Sequence, residues 1–511
     1  MTVGRPRLLR SALPPLAGVA MAWTFVAAGG VVISLAGFAV FFALLLSAEP
    51  RRAAFEALVA VWVYYVLVLR WFAAAILDFS TLSPWLAGGA VAAAAGLLAA
   101  GGAVLGWCAA RWRGRLGRGG GALALAVGWV GLELFRTRYP VPFPWGSFAA
   151  LVAPRPWAAR LASWVGTEGL SLLVALGVAT GALVLLGRFR AGLPLLLMVA
   201  GGAAIPSAAV PGEGSREVRV AAVQGSASSQ ASDLQRLELY EALTRQAARQ
   251  GAQLVVWPES AVRYRVDRHE GYRSRLEGLA AAEGVDLVVG SVVAGDAGER
   301  LNAAALVRGD VGLMTVSAKR TLVPFGEYLP LRFVFGTLPA LAAEAGDFTP
   351  GREILLHPTR VGRAGVLVCY EAVFPSLARQ LARAGGRILI NITNDRWFGW
   401  TRGPGQHLRH ARLRAAETGL PLVRAANSGI SAIFSRRGEL LGRLEVGQRG
   451  VLVRSIRVGA SPVAGVAVGR MVAWLCATLS ILLLLLAVVP PRKTRRRPVV
   501  GAVVRAGDGD A

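Results

Sequence analysis

Three side chains that could together carry out nucleophilic catalysis stand at the ends of predicted strands. Cys369 ends the apolar stretch 363–368, and Glu259 and Lys319 each follow a shorter apolar run. A thiol at a strand end can act as a nucleophile, a partly desolvated carboxylate as its general base, and a lysine ammonium as a stabiliser of an oxyanion. Each residue also has a simpler interpretation. Most free cysteines are buried packing residues, and a lone Glu or Lys after a strand is usually solvated.

The lysine at position 319 is informative because lysine is scarce in this chain. Of 56 basic Lys and Arg residues, only Lys319 and Lys493 are lysine. Lys493 stands in a basic tail, where arginine would serve equally well. Since arginine cannot act as a compact, titratable ammonium, the choice of lysine predicts a chemical role for Lys319.

The stretch 217–458, which holds all three residues, alternates short apolar β-rich runs with amphipathic helical runs. Strands are predicted at 218–223, 254–257, 287–293, 303–307, 313–317, 363–368, 388–392, 422–425 and 432–434, and helices at 233–250, 272–283, 377–384 and 406–418. This alternation predicts a layered α/β domain, and in such a domain strand ends can cluster at one edge of a sheet.

The sequence on both sides of this domain is too apolar for a soluble protein. The mean hydropathy is +0.51, and 54% of the residues are hydrophobic. Apolar runs occur at 12–28, 30–48, 53–69, 84–109, 122–136, 164–187, 191–209 and 468–490. Most approach the roughly 17–25 residues that span a bilayer. We therefore predict an N-terminal α-helical polytopic membrane domain over 1–210, a C-terminal span over 466–490 and a basic cytoplasmic tail over 491–511.

Loop charges predict the orientation of these spans. The N-terminus, the loops at 51–52, 111–118 and 188–190, and the tail are all rich in arginine. By the positive-inside rule these segments are cytoplasmic, which places the α/β domain in the periplasm and the chain in a bacterial inner membrane. The arginine-containing loop 136–163 must face outward, and its segment Pro140–Trp145 predicts an interfacial or partly re-entrant loop.

Composition argues against three other kinds of site. The net charge of +26 is spread over short loops and termini, so it indicates membrane topology rather than nucleic-acid binding. Cys108, Cys369 and Cys476 lack the spacing of a disulfide framework or a zinc site. His407 and His410 have a spacing that permits metal binding but no evident third ligand, so we interpret them as part of a polar helix face. We expect no metal and no cofactor.

The residues around the three candidates resemble those of a known family. Glu259 lies in VVWPES, Lys319 in AKRTLVPFGEYLPL and Cys369 in VLVCYE, and these segments resemble the nitrilase (carbon–nitrogen hydrolase) superfamily with its Glu–Lys–Cys triad. The further segments NDRWFG and RAANSGIS, together with spans on both sides, resemble the apolipoprotein N-acyltransferase family within it. The resemblance implies an αββα sandwich for 217–458.

That resemblance also implies a reaction. A fatty acyl chain would pass from a phospholipid to Cys369 as a thioester, and then to the N-terminal amine of a diacylglyceryl-cysteine apolipoprotein. Glu259 would be the base and Lys319 the oxyanion stabiliser, with Glu327 orienting the lysine. Tyr370 and Glu371 match positions that the family uses for activity, although Glu371 could also serve a helix N-terminus. We expect a monomer in the lipid bilayer.

Two other functions stay open. A membrane-anchored amidase of the same superfamily would hydrolyse the thioester with water, and a non-catalytic scaffold would keep only the fold.

Residues 226–233 lack the tryptophan that the family usually shows there. The apolar loop 333–350 predicts a mobile arm that dips into the membrane interface over the site.

Overall fold

A computed structural model shows a helical domain and a β-sandwich domain. It describes residues 5–27, 29–79, 83–138, 141–188, 190, 216–228, 230–330, 346–459 and 462–490. The predicted span 191–209, most of the predicted arm 333–350 and the tail 491–511 lie outside the described residues.

The N-terminal part of the chain is helical wherever the sequence is continuously apolar. The helices are α1 (Arg5–Val26), α2 (Val31–Leu45), α3 (Pro50–Val68), α4 (Arg70–Phe79), α5 (Pro84–Phe135), α6 (Phe148–Val152) and α7 (Pro156–Leu185). Proline opens α3, α5 and α7, at a position where the missing backbone N–H has no helical partner to lose. We call this part, with the last helix described below, the membrane domain.

The long helix α5 is a hairpin of two helices. Gly117 lies inside it with φ 72° and ψ 179°, a conformation that glycine adopts without the strain of a side chain. Beyond this break the halves run back along each other, since a Cβ atom on Gly128 would meet the Leu105 side chain and one on Gly101 would meet Leu132. The two halves correspond to the spans predicted at 84–109 and 122–136.

Several described helices have the length and composition to cross a membrane. Within the described ranges these are α5, α7 and α12 (Gly465–Val488), and the pair α3 and α4, bent by 48°, could form a further span. The apolar stretches Ser11–Val26 and Val31–Leu45 are shorter. The chain therefore has membrane-spanning character, while the count of eight spans stays a prediction.

The sandwich domain contains two six-stranded sheets. The strands are β1 (Arg216–Gln224), β2 (Leu254–Val256), β3 (Asp286–Ala294), β4 (Arg300–Arg308), β5 (Gly312–Ala318), β6 (Leu356–Thr359), β7 (Gly362–Val368), β8 (Ile388–Thr393), β9 (Leu422–Ala426), β10 (Ser431–Phe434), β11 (Leu440–Leu444) and β12 (Gly450–Val458). The first sheet has the order β12-β1-β2-β3-β4-β5, and the second β11-β10-β9-β8-β7-β6. Each has three parallel strands at its centre, β1-β2-β3 and β7-β8-β9, flanked by antiparallel ones.

Alternation along the strands builds the layers. Val218, Val220 and Ala222 of β1 face the core between the sheets, whereas Ala221 and Val223 face the outer helices. Those helices are α8 (Asp233–Arg249) and α9 (Glu270–Glu283) on the first sheet, and α10 (Pro375–Arg383) and α11 (Gly403–Thr418) on the second. The predicted αββα sandwich is confirmed. The strands β6, β11 and β12 were not predicted.

The second pair of outer helices joins the two domains. Leu377 and Leu381 of α10 and Ala411 and Ala415 of α11 belong to the same continuous core as the membrane helices. The loop 141–147 takes part in this contact, because Trp145 is buried and donates a hydrogen bond to Gln406 Oε1 over 2.6 Å. The predicted re-entrant loop therefore lies against the sandwich domain.

Candidate active site

The three candidate side chains are buried at the ends of strands from both sheets. Glu259 follows β2 and Lys319 follows β5 in the first sheet, while Cys369 follows β7 in the second. Their exposed fractions are 5%, 1% and 8%. The site is therefore assembled across the two sheets in surroundings largely closed to solvent.

The lysine and the two carboxylates form one hydrogen-bonded cluster. Lys319 Nζ donates to Glu327 Oε1 over 2.9 Å and lies 3.5 Å from Glu259 Oε1. Asn302 Nδ2 donates to both carboxylates, over 2.6 Å to Glu259 and 2.7 Å to Glu327. Burial alone would lower the pKa of Lys319, but the charges of Glu259 and Glu327 outweigh it and raise that pKa. The lysine is therefore a permanent ammonium.

One backbone donor and one side-chain donor hold the Glu259 carboxylate and main chain in place. Asn394 N–H donates to Glu259 Oε2 over 2.9 Å, and Asn427 Nδ2 donates to the Glu259 carbonyl over 2.9 Å. Gly290 in β3 lies so close that a Cβ atom there would sit 2.7 Å from the Glu259 Cα. Both sheets thus contribute to the position of this carboxylate.

Cys369 has an unusual backbone and a protonated thiol. Its φ is 51°, in the left-handed region that disfavours residues with a side chain. Burial, and next the charge of Glu259, raise the pKa of Cys369 to about 12, although Lys319 opposes this shift. The thiol therefore needs a base to become a nucleophile. Left-handed φ values also occur at Ser260 and Phe325, close in sequence to Glu259 and Glu327, and at Ser226, whose N–H donates to the Asn427 carbonyl over 2.9 Å. Such values are typical of strained functional sites.

The two residues after the cysteine anchor the turn Cys369–Val373. Glu371 Oε2 accepts from Val368 N–H over 2.8 Å, and its Oε1 accepts from Arg320 N–H over 2.7 Å, next to Lys319. Tyr370 Oη donates to the Pro142 carbonyl of the membrane domain over 2.7 Å. Glu371 therefore ties the turn to the segment that carries the lysine, and Tyr370 ties it to the membrane domain.

The interpretation of His407 and His410 as a polar helix face is wrong. Both are buried, with exposed fractions of 1% and 3%, because the membrane helices cover α11. His407 lies behind the nucleophile, with Nε2 3.1 Å from the Cys369 carbonyl oxygen. Its Nδ1 lies 3.1 Å from both Asp395 Oδ1 and Arg424 Nη2. Within the described residues no group of three or more His, Cys, Asp and Glu side chains could hold a metal ion.

Several residues that were not predicted to belong to the site lie there in the structure. These are Asn302, Asn391, Asn394, His407, Arg424 and Asn427. A signal was present for three of them, since Asn302, Asn391 and Arg424 are single polar residues inside otherwise apolar strands. A buried polar group needs a partner, so each pointed to a polar cluster at the strand ends.

Comparison with known proteins identifies the family. The family described as apolipoprotein N-acyltransferase N-terminal domain matches residues 17–180, and the carbon-nitrogen hydrolase family matches residues 219–461. An apolipoprotein N-acyltransferase from Geobacter metallireducens is 34% identical over 489 residues, which cover 90% of this chain and 92% of the relative. The chain belongs to the apolipoprotein N-acyltransferase family. The chain is therefore a membrane protein of an acyltransferase family. The resemblance predicted from the sequence is confirmed.

Other similar proteins cover either the whole length or the sandwich domain alone. The apolipoprotein N-acyltransferase from Azotobacter vinelandii is 32% identical over 476 residues, covering 88% of this chain and 89% of the relative. A solved structure of an amidase from Nesterenkonia sp. shares 25% identity with a TM-score of 0.38, covering 49% of this chain and 92% of the amidase. Similarity to the acyltransferase family thus extends over both domains.

Proposed function

We propose that this protein transfers a fatty acyl chain from a phospholipid to the N-terminal amine of a diacylglyceryl-cysteine apolipoprotein, through a thioester on Cys369. The observation that carries the proposal is the buried pair of Glu259 and Lys319, whose charges act on the buried Cys369 thiol, in a chain of the apolipoprotein N-acyltransferase family. We also propose that the sandwich domain faces the periplasm of an inner membrane and that the protein acts as a monomer.

The first half-reaction follows from the states of the three groups. Glu259 takes the proton of the Cys369 thiol, and the thiolate attacks the carbonyl carbon of the phospholipid ester. The Lys319 ammonium stabilises the oxyanion that forms. When the intermediate collapses, the ester C–O bond breaks and the leaving alkoxide takes the proton back from Glu259. The products are an acyl thioester and a lysophospholipid.

The second half-reaction reverses the proton path. The amine of the apolipoprotein attacks the thioester carbonyl carbon and passes a proton to Glu259. The C–S bond breaks, and the Cys369 thiolate recovers the proton. Because Glu327 is held by Asn302 and by the Val323 N–H over 2.7 Å, it keeps Lys319 in place through both halves.

The position of the nucleophile suits substrates that stay in a membrane. Tyr370, the residue after Cys369, contacts the loop 141–147 of the membrane domain. A thioester formed here lies next to the helices that face lipid, so a two-chain donor and a lipid-anchored acceptor could both reach it from the bilayer.

Intact-mass measurement tests the proposal directly. The purified protein is incubated with phospholipid in detergent micelles without acceptor, and the mass is compared with that of Cys369→Ala. We expect one added acyl group in the wild type and none in the variant. Cys108→Ala and Cys476→Ala are matched controls, because both cysteines are also buried but lie in membrane helices. Both control variants should acquire the acyl group.

When a diacylglyceryl lipopeptide is then added, Cys369 should lose its acyl group, and the N-terminal amine of the lipopeptide should carry that group as an amide. An unmodified wild-type protein that hydrolyses small amides would contradict the proposal and favour the membrane-anchored amidase.

A further inference from the structure

A second cluster of polar side chains approaches the backbone carbonyl oxygen of Cys369 and not its thiol. His407 Nε2 lies 3.1 Å from the Cys369 carbonyl oxygen, and Asn391 Nδ2, which donates to the Leu367 carbonyl over 2.9 Å, lies 3.4 Å from it. Both side chains are buried, with exposed fractions of 1% and 0%. A carbonyl can only accept, so the His407 nitrogen facing it must carry a proton.

Arg424 contacts the acceptor atoms of both side chains and so orients their donor groups. One guanidinium nitrogen contacts Asn391 Oδ1, which leaves the Asn391 amide nitrogen facing the strand end. The other, Nη2, lies 3.1 Å from His407 Nδ1 and donates to Asp395 Oδ2 over 2.7 Å. Arg424 is fully buried in β9, so its donors are aimed by packing and not by solvent.

These contacts select one form of the imidazole. Burial lowers the pKa of His407 and so favours the neutral ring. With its one proton on Nε2, His407 donates to the Cys369 carbonyl while Nδ1 accepts from Arg424, and only the contact to Asp395 Oδ1 has no proton. With the proton on Nδ1, only the contact to Asp395 would be favourable, and the other two would be mismatched. Asp395 does not depend on the histidine, because Thr393 Oγ1 and Arg424 already donate to it.

We propose that His407, held in its Nε2-protonated form by Arg424, positions the nucleophile by donating a hydrogen bond to the Cys369 carbonyl. The inference rests on the proposed function, since it takes Cys369 as the nucleophile. Cys369 has a left-handed backbone conformation that persists only where its surroundings impose it. The hydrogen bond from His407 is one such restraint on the backbone that carries the thiol. His407 is a positioning residue, because its donor faces the main chain and not the thiol.

Two amide variants separate positioning from general packing. Glutamine places its amide nitrogen near the position of His407 Nε2, so His407→Gln can still donate to the Cys369 carbonyl. Asparagine matches only Nδ1, so His407→Asn keeps the Arg424 side and loses the carbonyl. A misplaced nucleophile can slow a reaction about 100-fold. We expect His407→Asn and His407→Ala to form the acyl adduct about 100-fold more slowly, and His407→Gln to stay within about tenfold of the wild type.

His410→Ala is the packing control, because His410 is buried one turn away on the same helix and its ring packs on Trp145. It should lower the melting temperature as His407→Ala does while keeping an adduct rate close to that of the wild type. Equal rates for the Gln and Asn variants, or a wild-type rate for His407→Ala, would overturn the inference.

A second readout keeps the inference separate from the proposed function. The rate of Cys369 alkylation by iodoacetamide needs no lipid, and we expect the Gln variant to group with the wild type and the Asn variant with Ala. If the wild type forms no acyl adduct, the proposed function fails, and the alkylation order alone still decides the role of His407. If the adduct forms but the four proteins alkylate and acylate alike, only the positioning role fails.

Discussion

The outer helices α9 and α11 cover equivalent faces of the two sheets but are buried to different degrees. Only four of the 14 residues of α9 are buried, whereas 12 of the 16 residues of α11 are. Both helices carry several charged residues, so sequence polarity does not account for the difference. The membrane helices cover the outer side of α11, and no such layer lies over α9 in the described residues. Burial of polar side chains in the second half of the sandwich is therefore imposed by the other domain.

The same difference appears in two ion pairs of similar geometry. Arg275 on α9 grips Glu241 on α8 through contacts of 2.7 and 2.8 Å, and its side chain is 39% exposed. Arg379 on α10 grips Glu168 on α7 through two contacts of 2.6 Å, and its side chain is 7% exposed. The first pair lies within the sandwich domain, and the second joins it to the membrane domain.

Removing the arginine of each pair gives the largest expected contrast. Arg379→Met leaves Glu168 and Glu417 buried without this cation, and we expect a loss of about 3–5 kcal/mol in unfolding free energy. Arg275→Met removes a half-exposed partner and should lose less than about 1 kcal/mol. Thermal unfolding of both variants in the same detergent measures the contrast. Equal shifts would show that the membrane domain does not bury the second pair.

Acid should destabilise the second sheet and the helix α11 that packs on it. Burial lowers the pKa of His357 in β6 to about 4, and burial also lowers the pKa values of His407 and His410. In the unfolded chain histidine has a pKa of about 6.5. Between pH 6.5 and 4, each of these histidines is therefore protonated in the unfolded state but not in the folded state. The free energy of unfolding is highest above pH 6.5 and decreases as the pH is lowered toward 4. We expect up to about 3 kcal/mol from His357 alone.

The variant His357→Gln tests this origin. Glutamine can keep the 2.7 Å contact with Ser317 Oγ of β5 but cannot titrate. The dependence of melting temperature on pH between 7 and 4.5 should become shallower, with the remaining slope due to His407 and His410. An unchanged slope would assign the acid sensitivity to other groups.

The smallest expected change in stability concerns the loop 141–147. One tyrosine from the sandwich domain and one from the membrane domain each donate a hydrogen bond to this loop. Tyr370 Oη donates to the Pro142 carbonyl over 2.7 Å, and Tyr64 Oη of α3 donates to the Gly146 carbonyl over 2.8 Å. Each Tyr→Phe change should lose about 1 kcal/mol in unfolding free energy. Because Tyr370 follows the nucleophile, only Tyr370→Phe should also slow acyl-adduct formation. An equal slowing in Tyr64→Phe would mean that the loop acts as one unit on the site.

Much of the candidate site could be predicted because its residues follow regular local patterns. Apolar runs that end in Glu259, Lys319 and Cys369 signal buried strands without any knowledge of their partners. The outward contacts of these residues could not be predicted in the same way. Asn302, which bridges Glu259 and Glu327, stands out only as a polar residue in an apolar strand, and nothing local says which groups it faces.

The missed strands show where local information ends. The strand β12 pairs with β1 from Arg216↔Val458 to Gln224↔Gly450, across more than 200 residues of chain. The strands β6 and β11 lie at opposite edges of the second sheet. β6 has only four residues, and only one of the five residues of β11 is buried. Edge strands expose much of their surface, so their sequences carry little of the apolar signal that marks a central strand.

Local sequence by itself determined most of the elements, the apolar spans and the positions of the three candidate groups, because hydrophobic periodicity acts over a few residues. Only the tertiary structure decided which polar residues are buried. His407, Arg379 and Glu417 lie on helices that read as solvated, and they lose solvent because chain segments between Pro142 and Glu168 pack over them. A residue's burial depends on every layer that covers it, and here the deciding layer comes from the membrane domain, more than 200 residues away in sequence.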